Sequence, residues 1–499
     1  MISLSEVRVT YSGLISLLMA LSTVVTGGIF ILIVTRNLTV EELGTWGLIG
    51  GLVTYVIVLE PVISYWTTRE IARDINSGKT AVLTSGIFSI GGILSFILIA
   101  FFVSEPTGAD IDILLFAALM IPFTFLNRTL SSIALGWKPQ LNSYGMLALD
   151  IAKLPAAIIF VYFMGWGITG AILSMILATI VSIIILVITS RKKLVTSFNK
   201  NYLKNWLKRA WVPSYMKSAQ FVVLDVLIFS LLTGSVMGLA YWVAATTIGT
   251  IVRHSNQLTK GVYPKLLSGG RKEHLQTNLM KLFFFAFPFM AFSMAFAKPG
   301  LFALNPIYDI AAIVVVFITI RSFLHMLNGA FTQALQGIEK VDTKQSTHKE
   351  YLKSKFFYLP SVRMIRRGVY LGSLAIGVFI LMQSGASDIE LVIYWAIISA
   401  LAQLPFTIYF YLLVRKNFPL SLDIITITKY LLICLIVFGG VYLLMEEFLN
   451  YESSIFKFIT NLIPFVVLAI LAYFGLTYLT DKETRKLFKA IILEIKQRK

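Results

Sequence analysis

The stretch AVLTSGIFSIGGILSFILIAFFV, residues 81–103, contains no charged side chain. At 1.5 Å per residue, an α-helix of that length extends about 34 Å, which is enough to cross the ~30 Å hydrocarbon core of a membrane. The stretch is continuously apolar and does not alternate, as a strand of a membrane barrel would. It therefore predicts a transmembrane α-helix.

Comparable runs recur from one end of the chain to the other. Only 14% of the 499 residues are charged and 57% are apolar, whereas soluble domains carry roughly 25% charged residues. We therefore expect an all-α polytopic membrane protein with about 14 transmembrane helices. The expected spans, numbered 1 to 14, are 11–35, 43–66, 81–103, 111–135, 141–163, 168–189, 213–233, 238–258, 282–304, 309–334, 368–387, 389–414, 424–445 and 457–480.

The charges of the loops predict how the chain is oriented. Loops after odd-numbered spans are net acidic, as at Glu105 and Asp110. Segments after even-numbered spans are basic: 190–217 has eight basic residues and no acid, and 336–367 has eight basic and three acidic residues. Because basic loops stay on the cytoplasmic side, this alternation predicts a multi-pass protein of the cell membrane with both termini cytoplasmic.

Composition and missing motifs exclude several classes of protein. The formal charge of +18 lies between apolar runs, so we expect membrane lipids as partners and no nucleic acid. The chain has one cysteine, Cys434, four scattered histidines, and no phosphate-binding GxxxxGKS or GxxxxGKT, HExxH or GxSxG pattern. We therefore expect no enzyme activity, no metal site and no bound cofactor.

The basic segment after span 6 divides the first twelve spans into two sets of six. Within it, Leu203, Trp206, Leu207 and Ala210 share one helical face, which predicts an interfacial helix or, alternatively, a helix that docks a partner. The predicted organisation is an N-terminal six-helix lobe (1–189), a basic amphipathic cytoplasmic linker (190–212), a C-terminal six-helix lobe (213–414), two additional helices (415–480) and a basic cytoplasmic tail (481–499).

The two sets of six resemble each other weakly. LGTWGLIGGLVTYV in span 2 and MGLAYWVAATTIGTIV in span 8 each have a glycine, then an aromatic residue, then small residues. Parallel repeats of this kind are typical of transporters, with the substrate site between the halves. Small residues also serve helix packing, so this pattern predicts only a transporter-like bundle.

Three stretches carry a resemblance to a known family. They are TRNLTVEELGTWGLIGGL (35–52), MGLAYWVAATTIGTIVRHSNQLTKGVYPKLLSGG (237–270, with Pro264) and AKPGLFALNPIYDIAA (297–312, with Tyr308). Each lies at the place along the chain where that family has the similar stretch. In these the chain resembles the polysaccharide-transporter branch of the multidrug/oligosaccharidyl-lipid/polysaccharide exporter superfamily. The resemblance implies two six-helix lobes in pseudo-symmetric parallel repeat, two further C-terminal helices, and flipping of prenyl-linked oligosaccharide for polysaccharide or glycan biosynthesis. It also implies polysaccharide-assembly proteins as candidate partners.

Charged residues inside spans are the candidate substrate-cavity residues, because a charge in hydrocarbon is costly unless it faces a cavity or a partner. Asp225 in span 7 is either a cavity-facing functional acid or an acid paired with another helix. Glu60, before Pro61 in span 2, is either a functional acid or a group that reaches the headgroups. Arg253 in span 8 could pair with a pyrophosphate or an acidic sugar. Arg321 and His325, at i and i+4 in span 10, form a polar stripe or hold helices together.

Three secondary candidates have simpler interpretations. Asp150 and Lys153, at i and i+3 in span 5, are expected to neutralise each other. Arg128 in span 4 is expected to extend toward the membrane surface.

The leading hypothesis is a flippase that moves lipid-linked oligosaccharide by alternating access, with Na⁺ or H⁺ as candidate coupling ion. The alternative is a cation-coupled multidrug exporter of the same superfamily, for which twelve spans and an acid-dominated cavity are expected. A membrane glycosyltransferase would need a large outer loop, and every predicted outer loop is short.

Overall fold

The computed structural model is helical throughout the part of the chain that it describes. It describes residues 23, 25–195, 197–211, 213–215, 224–259, 273–339, 350, 352–418, 422–482, 484–486 and 489. Its α-helices, numbered α1 to α19, are Val25–Asn37, Val40–Val56, Pro61–Ala72, Gly78–Thr107, Ile111–Ala117, Met120–Trp137, Pro139–Ala157, Gly167–Ser190, Lys200–Lys208, Asp225–Thr233, Met237–Gly249, Glu273–Ala295, Ala297–Leu304, Ala312–Gly337, Lys355–Gln383, Asp388–Leu401, Leu404–Asn417, Ile424–Phe448 and Ile455–Thr480.

Eleven helical segments in the described part are long and apolar enough to cross a membrane. They correspond to expected spans 2–6 and 9–14, and the shorter apolar helix α1 lies in span 1. Helices α10 and α11 lie at spans 7 and 8 and are shorter, with 9 and 13 residues. The chain is therefore a multi-pass membrane protein, as expected, while the count of fourteen and the location of the termini stay predictions.

The chain groups into two compact units. One comprises Val25–Val243 and Tyr351–Trp395, and the other includes Ala244–Glu350 and Ala396–Lys499. We call these the first and the second unit. The first unit thus contains α10 and α15, which belong to expected spans 7 and 11, together with α1 to α9. The division into two six-helix lobes stays a prediction.

The turn between α1 and α2 explains part of the TRNLTVEELG stretch. Thr39 caps α2: its Oγ1 accepts from the Glu42 amide at 3.2 Å, and the Glu42 carboxylate accepts from the Thr39 amide at 2.9 Å. This reciprocal pair satisfies two free N–H groups at the helix start. The other Glu42 oxygen accepts from the Ile168 amide at 3.2 Å, which joins the start of α2 to the start of α8.

Gly44 permits the closest approach in this region. A Cβ atom at this position would overlap the carbonyl oxygen of Val236, in the turn between α10 and α11. Since the obstructing atom belongs to the backbone, no side-chain rotation can relieve the overlap. Gly50, on the same helix, has nothing within 4 Å of a built Cβ and serves as its control.

We expect Gly44→Ala to lower the free energy of unfolding by about 2 kcal/mol, because α2 must move away from Val236. Gly50→Ala should leave it unchanged or slightly raised, since alanine favours a helix. Thermal unfolding of the purified protein in detergent measures both variants. Equal midpoints for the two would contradict the close approach.

A proline in α12 leaves a carbonyl group without its helical partner. Pro288 has no N–H, so it cannot donate to the carbonyl oxygen of Phe284, four residues earlier. Tyr473 of α19 supplies the missing donor: its hydroxyl donates to Phe284 O at 2.7 Å, and the Tyr473 side chain is fully buried. The last helix of the chain thus completes the backbone hydrogen bonding of α12.

Tyr473→Phe should therefore lower the unfolding free energy by about 1–2 kcal/mol, because a buried carbonyl loses its donor. In a Pro288→Ala background the cost should shrink, since the introduced alanine has an N–H that can donate to Phe284. A double-mutant cycle of thermal unfolding measures this coupling. Tyr162→Phe, at an exposed tyrosine, is the control; additive effects of the first two changes would refute the contact.

The end of α19 is tied to the start of α18 through Asp481. Lys429 donates to its Oδ1 at 2.6 Å, and Tyr430 and Thr484 donate to its Oδ2 at 2.8 Å. Burial by itself raises the pKa of Asp481, but these donors lower it to about 2. The carboxylate is therefore charged at every physiological pH and holds the two C-terminal helices together.

The basic segment after span 6 packs differently from the expected interfacial helix. Trp206 of α9 is fully buried and donates from Nε1 to a Glu70 oxygen at 2.9 Å, whereas Leu207 is exposed. Two residues of the expected apolar face thus have different surroundings: Trp206 lies in the protein core and Leu207 lies on the surface. The spacing of Leu487, Ile491 and Ile495 in the tail predicts a second amphipathic helix. These residues lie outside the described part of the chain, as does Pro264.

Candidate functional site

Asp225 is a buried acid at the first position of α10. The residue is only 3% exposed, and its Oδ2 accepts a hydrogen bond from the Tyr370 hydroxyl of α15 at 2.9 Å. A charged carboxylate in such a place needs donors to offset the loss of hydration. The structure thus pairs Asp225 with another helix, and the partner is a tyrosine, not a base.

Tyr370 is itself held in place by Trp395 of α16. The indole Nε1–H donates to the Tyr370 hydroxyl oxygen at 2.7 Å. An indole N–H can only donate, so the tyrosine oxygen must accept there and its hydrogen is left for Asp225. We call Trp395, Tyr370 and Asp225 the buried relay. Its direction is fixed by chemistry, with every donor directed toward the carboxylate.

Aromatic rings enclose the relay on the side of Trp395. Phe229 stacks on Trp395 with ring centroids 4.8 Å apart, and Trp242 stacks on it at 3.7 Å with nearly parallel planes. Gly238 makes room for this stack, because a Cβ there would meet the Phe229 ring. The MGLAYW stretch of α11 therefore provides the tryptophan that stacks on Trp395 and the glycine that leaves room for the stacked rings.

Two further polar side chains of the first unit lie near the relay. The Tyr55 hydroxyl of α2 is hydrogen-bonded to the backbone of Leu227, in the first turn of α10, and lies within electrostatic range of Asp225 and Arg367. The guanidinium of Arg367 lies 5.7 Å from the ring centroid of Tyr370. The site thus combines one buried acid, two tyrosines and one arginine.

The carboxylate of Asp225 can accept more hydrogen bonds than the one from Tyr370. Asp225 Oδ1 is buried and has no hydrogen-bond partner among the described residues. An oxygen in that state can take up a proton or contact a cation. The described residues contain no group of three His, Cys, Asp or Glu side chains that could hold a metal ion. The surroundings of the acid are mainly aromatic and phenolic.

Arg253 lies in an unusual segment of the second unit. Expected span 8 leaves α-helical geometry after Gly249 and continues as a 3-10 helix, Ile251–Thr259. Runs of 3-10 helix this long are uncommon and often mark hinges. Ser293 donates to the Ile248 carbonyl at 3.1 Å, just before the change of geometry. Arg253 and Asp225 belong to different units.

The remaining candidates lie outside the helices of the relay. Glu60 is 2% exposed and follows a 3-10 turn, Ile57–Leu59. Asp150 and Lys153 form a buried ion pair at 2.5 Å. Three further candidates, on α6 and α14, are half-buried or exposed: Arg128, Arg321 and His325.

Sequence reasoning missed Tyr370, Trp395 and the arginines of α15. Expected span 11 begins at residue 368, whereas α15 begins at Lys355, so Arg363, Arg366 and Arg367 lie inside the helix and not in a loop. Their spacing of i, i+3 and i+4 was the available signal. Tyrosine and tryptophan are ordinary membrane-helix residues, and only their contacts distinguish these two.

A double-mutant cycle tests the relay. Tyr370→Phe should lower the unfolding free energy by about 2–3 kcal/mol, because it leaves the Trp395 N–H and Asp225 unsatisfied. Asp225→Asn should cost less in the wild type, since the amide oxygen can still accept from Tyr370, and should be neutral or stabilising in Tyr370→Phe, where it removes an unsatisfied buried charge. We expect a coupling energy above about 1 kcal/mol between the two changes in thermal unfolding. Simple additivity would show that the side chains do not interact.

Comparisons with known proteins give the fold. No family model matches the chain, and no curated protein matches it. Among solved structures, the chain is similar to the lipid II flippase MurJ in an inward closed conformation, with 13% identity, a TM-score of 0.64, and coverage of 93% of this chain and 99% of that one. It is similar to an inward-facing multidrug resistance MATE family transporter of the MOP superfamily, with 16% identity, a TM-score of 0.56, and coverage of 79% and 95%.

A third similar structure is MATE in the straight conformation, with 15% identity, a TM-score of 0.54, and coverage of 82% of this chain and 96% of that one. Identities this low establish the architecture and nothing finer. The chain therefore has the polytopic helical fold that these transporters and the flippase share.

Proposed function

We propose that this protein is a flippase that moves a lipid-linked oligosaccharide, carried on a prenyl phosphate or pyrophosphate, across the cytoplasmic membrane by alternating access. The observation that carries the proposal is the extent of the structural match. MurJ covers 93% of this chain at a TM-score of 0.64, whereas the two MATE structures described above cover 79% and 82% at lower scores. A fold match over nearly the whole chain supports a flippase-like architecture.

The C-terminal helices support the same proposal. The sequence resemblance to the polysaccharide branch implies two helices beyond the first twelve, and α18 and α19 lie where they are expected. Tyr473 and Asp481 anchor these helices within the second unit. They are therefore an integral part of that unit. A drug exporter of twelve spans has no need of them.

We further propose that Asp225 is the coupling acid and that the coupling ion is a proton. A sodium ion would need several oxygen ligands, whereas the described polar groups near Asp225 are the hydroxyls of Tyr370 and Tyr55 and the cationic Arg367. A proton needs only the free Oδ1. Protonation would remove the buried charge, and the Tyr370 hydroxyl could then turn away from the carboxyl group. A change in the relay would accompany each uptake and release of the proton.

The second candidate is a multidrug exporter, which the MATE matches favour. The buried acid serves this candidate equally well, because cation-coupled export also needs a titratable group in a span. The two candidates differ in cargo. A lipid-linked saccharide presents an anionic phosphate, whereas a typical exported drug would be a cation or a neutral amphiphile.

Transport in proteoliposomes tests the proposal. A fluorescent prenyl-pyrophosphate oligosaccharide should cross the bilayer faster with a pH gradient than without one, measured by chemical quenching of the outer leaflet. Asp225→Asn should remove the dependence on the gradient, because the amide cannot exchange a proton. Asp423→Asn, at an exposed helix-capping acid, should transport normally, since asparagine caps as well as aspartate.

A parallel measurement follows export of a cationic dye from the same vesicles. Dye export that depends on Asp225, with no movement of the saccharide lipid, would replace the flippase with the exporter. Saccharide transport that responds to the gradient equally in the wild type and Asp225→Asn would refute the role of Asp225 alone.

A further inference from the structure

The three arginines of α15 lie on the packed face of that helix. Arg363, Arg366 and Arg367 are spaced i, i+3 and i+4, so they follow one side of the helix. The same side carries buried Leu359 before them and buried Tyr370 after them. Arg366 is buried, and Arg363 and Arg367 are partly exposed. We call this set the arginine stripe.

The stripe lies at the margin of the apolar part of the helix. α15 is 29 residues long, and from residue 368 to Gln383 it contains no charged side chain. Arg367 directly precedes this apolar part. A lipid phosphate lies at the same boundary, between hydrocarbon and headgroups, so the stripe is at the depth of a lipid-borne anion.

Two contacts place the start of expected span 7 alongside the stripe. The Tyr215 ring stacks on Phe357 with centroids 4.5 Å apart, and its hydroxyl lies 2.5 Å from the Ser361 hydroxyl. Further along, Asp225 meets Tyr370. The stripe lies between these contacts on α15.

Two of the arginines lack a counter-charge elsewhere in the described chain. Neither Arg363 nor Arg367 forms an ion pair with a described residue. Arg367 Nε is buried without a hydrogen-bond acceptor among those residues, and its guanidinium faces the Tyr370 ring. Asp225, the nearby acid, forms no ion pair with either arginine. Cations held in this way are unfavourable unless an anion joins them.

We propose that the arginine stripe binds the phosphate of a lipid, with Arg363 and Arg367 as its direct ligands. Guanidinium groups present paired N–H donors that match phosphate oxygens, and two of them one helical turn apart can hold one phosphate or pyrophosphate group. The lipid is either the prenyl-linked substrate or an anionic phospholipid of the membrane. The choice of the prenyl lipid rests on the proposed function; the binding of phosphate does not.

Binding by the purified full-length protein tests the stripe. The probes are undecaprenyl pyrophosphate and phosphatidylglycerol, each titrated in detergent and followed by native mass spectrometry. In the double variant Arg363→Gln, Arg367→Gln we expect the dissociation constant for one probe to rise about tenfold to a hundredfold, because charge-assisted hydrogen bonds are lost. Arg363→Lys, Arg367→Lys should recover part of the affinity, since the charge remains and the paired donors do not.

The matched control removes two charges elsewhere. Arg415→Gln, Lys416→Gln changes exposed basic residues in the last turn of α17 and should bind both probes as the wild type does. The thermal unfolding midpoint and the gel-filtration profile show that each variant is folded. If the glutamine variant does not fold, the lysine variant decides the test through its weaker binding.

The outcomes separate the two sources of phosphate. Weaker binding of undecaprenyl pyrophosphate alone assigns the stripe to the substrate, and weaker binding of phosphatidylglycerol alone assigns it to a resident phospholipid. Unchanged affinity for both probes overturns the proposal. Transport is measured separately, so a functional flippase with unchanged affinities would refute the stripe and leave the proposed function standing.

Discussion

In hydrocarbon, each backbone N–H and C=O group must find a partner within the protein, because no water is present to replace it. The helices of this chain are interrupted repeatedly, and at several interruptions a side chain forms the hydrogen bond that a backbone group would otherwise lack. Tyr473 donates to the carbonyl that Pro288 leaves free, and Ser293 donates to a carbonyl just before the 3-10 segment Ile251–Thr259. Glu42 accepts from the first turn of α8. The interruptions are therefore stable features, and the side chains that complete them fix the neighbouring helices.

Buried charged side chains also need partners within the protein. The candidates differ in whether an opposite charge already neutralises them. Asp150 and Lys153 neutralise each other at 2.5 Å, so little capacity remains for a ligand. Among the described residues, Asp225 accepts a side-chain hydrogen bond from the hydroxyl of Tyr370, a neutral donor, and its Oδ1 has no hydrogen-bond partner. Arg363 and Arg367 of the arginine stripe have the opposite sign and form no ion pair with a described residue. The first unit thus contains a buried acid and two arginines without ion-pair partners among the described residues, and Tyr370 contacts both the acid and Arg367.

Hydrophobic runs predicted much of the architecture, since a membrane span needs length and low polarity whatever its neighbours are. Spans 2–6 and 9–14 were placed within several residues, apart from span 11, whose start was thirteen residues late. The error arose because Arg363, Arg366 and Arg367 were counted with the loop. Hydropathy alone places charged residues in loops exposed to water. In the folded protein, tertiary packing can hold such residues within a helix beside apolar residues.

The sequence by itself determined the helical membrane class, the position of most spans, and Asp225 as a buried acid, because each follows from composition over a short window. Only the tertiary structure decided what those residues contact. Asp225, Tyr370 and Trp395 are separated by 145 and 25 positions along the chain, and no local pattern links them. Likewise, Tyr473 reaches Phe284 across 189 positions. Such partners are chosen by helix packing, which depends on the whole fold and on no single segment.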